Sequence, residues 1–582
     1  MSAFRIDFTH PSLPTERLCF EAPLQHLVAH READVPGVIE AAEQASLEGY
    51  WVAGYLAYEA APAFDSTLPT ASARRHWPLA EFLVFDAADA RLPECELAQP
   101  SVSTTPWCSG VNAGVLAEKI ETIRAGIADG DFYQVNLTAP WQALFEGDVT
   151  DLYANLRTAQ PQSFGMLLDF GHRALVSVSP ELFFHRDSDG DLRVRPMKGT
   201  APRHSDPASD LAAREALRLS EKERAENLMI VDLLRNDLSR VARAGSVEVP
   251  ELFAIEPLPT AWQMTSTVTA KPRAGTGLVD VLRALFPCGS ITGAPKRAAM
   301  QAICELESGP RGVYCGALGL LRPDGSATFS VGIRTVTLEG QKAVCGIGSG
   351  ITFDSSAEGE IAEWEVKRRF LWRGTAPFEL LETLRLENSR FPALAGHLSR
   401  LTGSARHFGF PCDTGRVHAL LDSLSTVHPN GSWRVRLLLD RQGDVRVEVF
   451  PLDASPTTAH VTLAAAAMPD FRELAPDLLA HKTTERAHYP APPAGCFDVL
   501  LYTQDGFVTE FSRGNLVYAL GGQRYTPPAD GRLLPGVGRA ALLQSGAVVE
   551  RALRIDELPA CSSLCFVNAL RGEIPAILAP SE

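Results

Sequence analysis

Lys198 lies in the run Pro196-Met197-Lys198-Gly199-Thr200-Ala201-Pro202-Arg203, directly after the alternating Leu192-Arg193-Val194-Arg195. The alternation reads as a strand. The Pro and Gly content of the lysine run reads as a short turn. Seventeen residues upstream stands Glu181, within Ser177-Val178-Ser179-Pro180-Glu181-Leu182-Phe183. A lysine and a glutamate delivered by two strand ends can serve as nucleophile and general acid. The amine must then be neutral and the carboxyl protonated, and burial favours both uncharged forms. In isolation the plainer reading of Lys198 is a surface lysine in a turn.

Two carboxylate pairs add to this set. Glu223 and Glu226 are three apart, as are Glu360 and Glu363, so on helices each pair shares a face. Like charges facing one another across a cleft suit a hard divalent cation. A solvated acidic helix face is the plainer alternative in a chain this acidic. Gly348-Ser349-Gly350 and Thr292-Gly293 could bring backbone amides close to a ligand, or simply form tight turns.

Elements must position these groups. Leu116, Ile120, Ile123 and Ile127 recur at helical spacing, and Gly130 closes that helix over 113–129. Residues 131–137 come next as a strand. The spacing of Leu228, Val231 and Leu234 predicts one long helix over 208–243. Strands and turns alternate from 312 to 353, and a charged helix begins near Ala357. Trp372-Arg373-Gly374-Thr375-Ala376-Pro377 closes it, and a new strand-like start at Phe378 marks a domain boundary. Pro-rich segments at 485–495 and 526–536 read as loops. At about 150 residues per domain, 582 residues suggest three or four units. The expected divisions are 1–110, 111–373 and 378–582.

The composition, 45% hydrophobic and 21% charged, supports globular cores throughout. The net charge of −16, with no Lys/Arg-rich run, argues against nucleic acid or an anionic membrane as partner. No apolar run reaches bilayer length, and the first residues lack a leader pattern, so the chain reads as cytoplasmic. The 11 scattered cysteines read as small buried apolar residues.

Further motifs appear in order: Gly130-Asp131-Phe132-Tyr133-Gln134-Val135-Asn136, Arg224 through Asp237, Pro287 through Lys296, Tyr314-Cys315-Gly316, Gly332-Ile333-Arg334-Thr335 and Gly348 through Ile351. With the Lys198 and Glu181 runs, they resemble the chorismate-utilising enzymes, strongly over 110–370 and weakly before. The resemblance implies a β-sandwich layered with helices, and chorismate as substrate. Lysine at 198 resembles members that aminate chorismate at C4; alanine is usual in anthranilate synthases. Lys198 would attack C2 while Glu181 protonates the leaving C4 hydroxyl, and ammonia would then displace the lysine and arrive at C4. The family's Mg²⁺ is carried first to Glu226 and Glu363, with Glu223 and Glu360 reaching it through water. Tyr314 and Arg334 resemble the family's carboxylate binders, a guanidinium fork matching a carboxylate. The amides of Gly348, Ser349, Gly350 and Thr292 would also face substrate. Gln263 stands where many members have histidine; it can hydrogen-bond substrate but cannot act as a base. The Leu-Leu-Glu-Ser of tryptophan-regulated members is missing. No Gly-x-Cys-x-Gly elbow occurs, so ammonia is expected from a separate glutamine amidotransferase subunit or from solution.

The C-terminal part has Phe378 through Thr383, His397-Leu398-Ser399-Arg400-Leu401, His481-Lys482-Thr483-Thr484, Val508-Thr509-Glu510, Leu533-Leu534-Pro535-Gly536 and Asn568 through Gly572. These resemble the fold-type IV enzymes of pyridoxal phosphate (PLP), which have two α/β subdomains. By resemblance, Lys482 carries the cofactor and Glu510 faces its pyridine nitrogen. Arg400 with the amides of Val537 and Gly538 holds the phosphate. Gly538 and Ala569 replace hydroxyl residues common in the family. Arg486, Tyr489 and Arg571 are candidate substrate contacts. Together the α/β (α+β) halves point to 4-aminobenzoate formation for folate, with elimination of pyruvate in the second half and a homodimer through that half. Left open are an anthranilate, isochorismate or salicylate synthase for the first half, and an aminotransferase or a non-catalytic docking module for the second.

Overall fold

Asn112 starts the helix Ala113–Asp129 by accepting the Val115 amide at 2.9 Å, and left-handed Gly130 ends it. Leu116, Ile120 and Ile123 form its buried face, as their spacing requires. The stretch 208–243 differs from expectation. It forms two helices, Pro207–Leu219 and Glu221–Ser239. Ser220 takes an extended conformation and its hydroxyl accepts the Glu223 amide at 3.3 Å. A serine cap thus restarts the helix and sets Glu223 and Glu226 in its first turns. Lys198 also differs: it lies in a strand, Met197–Pro202, rather than a turn.

The computed structural model describes residues 4–71, 77–86, 102–202, 207–257, 261–468 and 476–579; Met1 to Ala3 and Arg203 lie outside them. It divides into two units, residues 1–103 with 109–370 and residues 104–108 with 371–582. Three or four were expected from length. Large sheets build each unit, and these draw many segments into one core.

The first unit contains two antiparallel sheets. One runs in the order Gly293–Ala294, Gln134–Glu146, Lys342–Ile351, Thr335–Glu339, Arg173–Ser179, Phe164–Asp169, Phe4–Phe8 and Glu16–Phe20. The other runs Met197–Pro202, Ala261–Ala270, Leu192–Arg195, Leu182–Arg186, Ala327–Val331, Ala317–Leu321, Trp51–Leu56, Ala80–Phe85 and Gln25–Ala29. Alternation along the strands explains the layering. Phe4, Phe8, Met166 and Leu175 from the first sheet meet Tyr55, Phe85, Leu318 and Leu320 from the second. The opposite face of the second sheet, with Val52, Phe82, Val84 and Val194, is covered by the helices Val35–Leu47, Glu221–Ser239 and Leu278–Leu285. Deep burial on both faces leaves this sheet rigid enough to aim side chains.

The second unit has a three-stranded sheet of Leu380–Glu387, Ser432–Leu439 and Val445–Pro451. The helix Leu394–Phe408 packs on its first strand. A larger sheet contains six strands that close into a ring: Gly514–Leu520, Ser563–Asn568, Gly572–Leu578, Ala459–Leu463, Asp498–Tyr502 and Phe507–Phe511. Pairing of Glu510 with Asn515 makes the closure. Among the described residues no helix is long and apolar enough to cross a membrane.

Candidate active sites

The chain crosses between the two sheets of the first unit at two neighbouring places. Pro180-Glu181 joins Arg173–Ser179 to Leu182–Arg186, and Gly332-Ile333-Arg334 joins Ala327–Val331 to Thr335–Glu339. The crossings bond one another: Val331 N donates to Glu181 O at 3.1 Å, and Val178 N to Arg334 O at 3.1 Å. An acid and a guanidinium are therefore delivered side by side from rigid strand ends. Glu181 is buried, and burial pushes its carboxyl above the usual range. The Ser290 hydroxyl, donating to Oε1 at 2.7 Å, and the charges of Lys198 and Lys367 oppose that rise without cancelling it.

Lys198 enters from the second sheet. Between Met197 and Thr200 the register against Ala261–Ala270 slips, forming a bulge with Gly199 at φ +91°. The half-buried Lys198 side chain reaches Gly350: a Cβ built there would lie 3.1 Å from Nζ and 2.0 Å from Gln134 Nε2. Glycine is required at 350 because two polar side chains end against it. Among the described residues Lys198 Nζ has no hydrogen-bond or ion-pair partner. Gln134 was not singled out by its sequence, yet it is buried with both amide atoms unpartnered. Burying an amide without partners is costly, so Gln134 is made for a polar group that arrives. The signal available was its place inside the Gly130 to Asn136 run.

Carboxylates surround this amine. Glu223 packs on Gly199, its Oε2 2.9 Å from where a Cβ would stand. Burial raises the carboxyls of Glu223 and Glu226, and repulsion from Glu363 adds to both. Burial also works on Glu363, but Lys367, bonded at 2.7 Å, outweighs it and holds Glu363 below its ordinary range. Lys367, which sequence reasoning missed, also donates to Gly348 O at 2.9 Å; its place four after Glu363 was the clue. Glu360 is turned elsewhere, onto the hydroxyls of Ser349 and Ser355. Among the described residues no three acidic, histidine or cysteine side chains are gathered closely enough to hold a metal ion. The fit to Mg²⁺ rests on donor chemistry: hard carboxylates from two helices that repel one another.

Arg334 sits at φ +50°, uncommon for a side-chain-bearing residue. Its guanidinium lies 5.1 Å over the Phe370 ring and donates to Gln160 Oε1 at 3.4 Å. Among the described residues it has no carboxylate partner, and burial lowers it to about 10. A half-buried, desolvated cation without a carboxylate beside it is prepared for an anion. The Tyr314 ring lies against Gly346, where a Cβ would come within 2.2 Å of it. Thr292 and Ser349 are buried with their hydroxyls used internally, on Cys288 O and on Glu360, and the Thr292 amide donates to Gly289 O at 3.3 Å while its carbonyl accepts from Asn136 N at 2.8 Å. Gln263 donates to Gly199 O at 2.8 Å.

In the second unit, Lys482 follows the helix Pro476–Ala480, and its carbonyl accepts the Leu381 amide at 2.9 Å, docking it on the small sheet. Burial, with Arg400 and Arg486 beside it, lowers the amine to about 8; Glu382 and Glu510 act against this. Glu510 is pushed by burial up to about 7, although Leu534 N at 3.1 Å and Tyr489 Oη at 2.9 Å donate to it. Arg400 spends Nε and Nη2 on Glu382 at 2.8 and 2.7 Å, leaving Nη1 directed to Pro535 O at 3.4 Å. That arm points to the start of the helix Val537–Gln544, where free amides collect. A Cβ on Gly538 would come within 2.9 Å of the Asn568 carbonyl carbon, so the close 568–569 backbone accounts for the missing hydroxyl residue. Arg486 stacks on Tyr489 at 4.4 Å, whereas Arg571 donates to Asp453 O at 3.2 Å. A half-buried lysine with a lowered pKa, a buried acid and an anion cup fit PLP.

Residues 15–373 match the chorismate binding enzyme family. The chain belongs to that family. Residues 379–577 match the class IV amino-transferases, a domain type that implies PLP. Aminodeoxychorismate synthase component 1 of Salmonella typhimurium is 44% identical over 260 residues, covering 45% of this chain and 57% of that protein. The chain spans 57% to 63% of the length of such relatives. Anthranilate synthase component 1 of Saccharolobus solfataricus is 32% identical, over 58% of this chain and 82% of that one. Among solved structures, anthranilate synthase component I of Streptococcus pneumoniae superposes with a TM-score of 0.50 at 24% identity, over 62% of this chain and 88% of that one. This last likeness concerns the fold.

Proposed function

We propose that the first unit aminates chorismate to 4-amino-4-deoxychorismate, and that the second eliminates pyruvate from it to give 4-aminobenzoate for folate. The observation that carries the reading is Lys198 Nζ, set against Gly350 with a buried, raised Glu181 in its electrostatic reach. In this mechanism the amine forms a bond to C2, the ring double bonds shift, and the C4 oxygen leaves as water with the proton of Glu181. Ammonia then bonds to C4 as the C2–N bond breaks. Arg334 and Tyr314 would orient substrate carboxylates, and Gln134 would meet a substrate polar atom. Glu226 and Glu363, with Glu223 nearby, would hold Mg²⁺, which supplies charge neutralisation for a substrate carboxylate. Ammonia would come from a separate glutamine amidotransferase subunit.

In the second unit Lys482 would hold PLP and move the proton, and Glu510 would hold the pyridine nitrogen. Arg400 Nη1 with the Val537 and Gly538 amides would bind the phosphate. Bound there, PLP supplies an electron sink. A homodimer through this unit and a cytoplasmic location complete the reading.

Product analysis of the whole protein with chorismate, Mg²⁺, PLP and ammonium tests it. Wild type should yield 4-aminobenzoate and pyruvate, Lys482→Ala should stop at aminodeoxychorismate, and Lys198→Ala should leave chorismate unconsumed. Anthranilate or isochorismate as main product would overturn the first assignment. Aminodeoxychorismate as the wild-type end product would overturn the second.

A further inference from the structure

A bulge costs the chain its regular ladder bonds. Lys198 and Gly199 fall in the slip between the Met197–Thr265 and Thr200–Gln263 pairs, and their two successive carbonyls must find donors, because an unpaired carbonyl is expensive there. Side-chain amides supply both. Gln263 Nε2 donates to Gly199 O at 2.8 Å, and Asn227 Nδ2 to Lys198 O at 3.4 Å. Gln263 is itself buried, on the strand that pairs with the bulge. Asn227 is fully buried on the helix that carries Glu223 and Glu226, and is fixed in turn: Ser266 Oγ donates to its Oδ1 at 2.6 Å. Ser266 also accepts the amide of Phe253 at 3.1 Å. Each of these groups is tied to another, so the peptide that bears Lys198 is clamped from the sheet side and from the helix side.

We infer that Gln263 and Asn227 are positioning residues that aim the Lys198 amine by holding the two carbonyls of its bulge. The inference rests on the proposed amination chemistry, and it gives Gln263 a different task from a substrate contact. Its amide nitrogen is already spent on the backbone next to the nucleophile. Loss of the clamp lets the bulge rotate about left-handed Gly199 and moves Nζ away from Gly350. Misplacement of about 1 Å can cost on the order of 10²-fold in rate.

The test uses the full chain. Gln263→Met keeps the length and removes the donor. With chorismate, Mg²⁺ and ammonium, kcat for aminodeoxychorismate should fall on the order of 10²-fold while KM for chorismate stays within about twofold. Gln263→His, whose ring N–H can donate, should recover most of the loss. A raised KM with unchanged kcat would instead make Gln263 a substrate contact, and an unaltered kcat would end the idea. Asn227→Asp keeps shape and the Ser266 bond but loses the donor; it should show the same kcat-only loss, and decides the matter if Gln263→Met fails to fold. A second readout needs no turnover. Labelling of Lys198 by an amine-reactive ester, referred to exposed Lys342, should change severalfold in Gln263→Met. Unchanged labelling overturns the clamp even if the wild type proves not to aminate chorismate, an outcome that would refute the functional reading separately.

Discussion

Lys198 and Lys482 are both held close to acids, yet their surroundings differ in kind. Lys482 has Arg400 and Arg486 beside it, and desolvation with these like charges brings its amine to about 8 against the pull of Glu382 and Glu510. Lys198 is half-buried and acts electrostatically on four carboxylates, Glu181, Glu223, Glu226 and Glu363. The second unit thus prepares its amine with its own structure, through desolvation and like charge. The first unit builds an anionic bowl that is completed by what enters it. One site should be ready before any ligand comes; the other should depend on cation and substrate together.

The widest separation should come from the lysines themselves. Lys482→Ala should lose the absorbance of bound PLP entirely while its amination rate stays at the wild-type value; Lys198→Ala should do the reverse. Loss of both signals in either variant would mean that the two sites do not act independently. Glu181→Gln comes next. Removing a buried general acid typically costs about 10²- to 10⁴-fold, and the loss should fall on kcat for amination. Because the folded carboxyl sits above its ordinary range, the protonated acid is present below that raised value, and wild-type activity should decline as pH rises through it. A Glu181→Gln enzyme that keeps this decline would assign it to another group. Chelation sharpens the contrast further. EDTA should abolish amination reversibly and leave PLP absorbance unchanged, and amination that survives exhaustive chelation would argue against the carboxylate bowl as a cation site.

The sequence made some of this arrangement readable. The helix at 113–129 followed from apolar spacing and a terminal glycine, and helical spacing also paired Glu223 with Glu226 on one face. Lys198 was found from its neighbours in sequence, but its bulge was not. Pro196, Gly199 and Pro202 look like turn formers, and only the pairing of this stretch with Ala261–Ala270 makes it a strand. The split at Ser220 was hidden because a serine inside a helical pattern gives no sign of which amide it will cap. Gln134 matters through its close approach to Gly350 and Lys367 through its bond to Gly348 O, and such placement is set by the packed fold rather than by local pattern. Arg334 was legible as a residue type, while its lack of a carboxylate partner among the described residues belongs to the crossing between sheets.

The smallest effect concerns stability without PLP. Lys482 falls from its ordinary 10.5 to about 8 in the folded chain. Between those values the unfolded chain holds a proton that the folded chain has released, so stability rises with pH there. Glu510 rises from 4.5 to about 7. Between these values the folded chain holds the extra proton, so stability falls as pH rises. The two contributions meet in a trough near pH 7 to 8, where both groups are charged. Each is worth on the order of 1–3 kcal/mol at about 1.36 kcal/mol per pKa unit. The groups also act on each other, so the trough is shallower than their sum. Thermal unfolding of PLP-free protein from about pH 5 to 10 should show this minimum in the transition of the second unit. Glu510→Gln should remove the descending limb and keep the ascending one. PLP should raise Tm most within the trough, because it takes up the lysine and gives the acid a partner. A Tm gain that is the same at every pH would mean that burial of these two groups does not prepare the site.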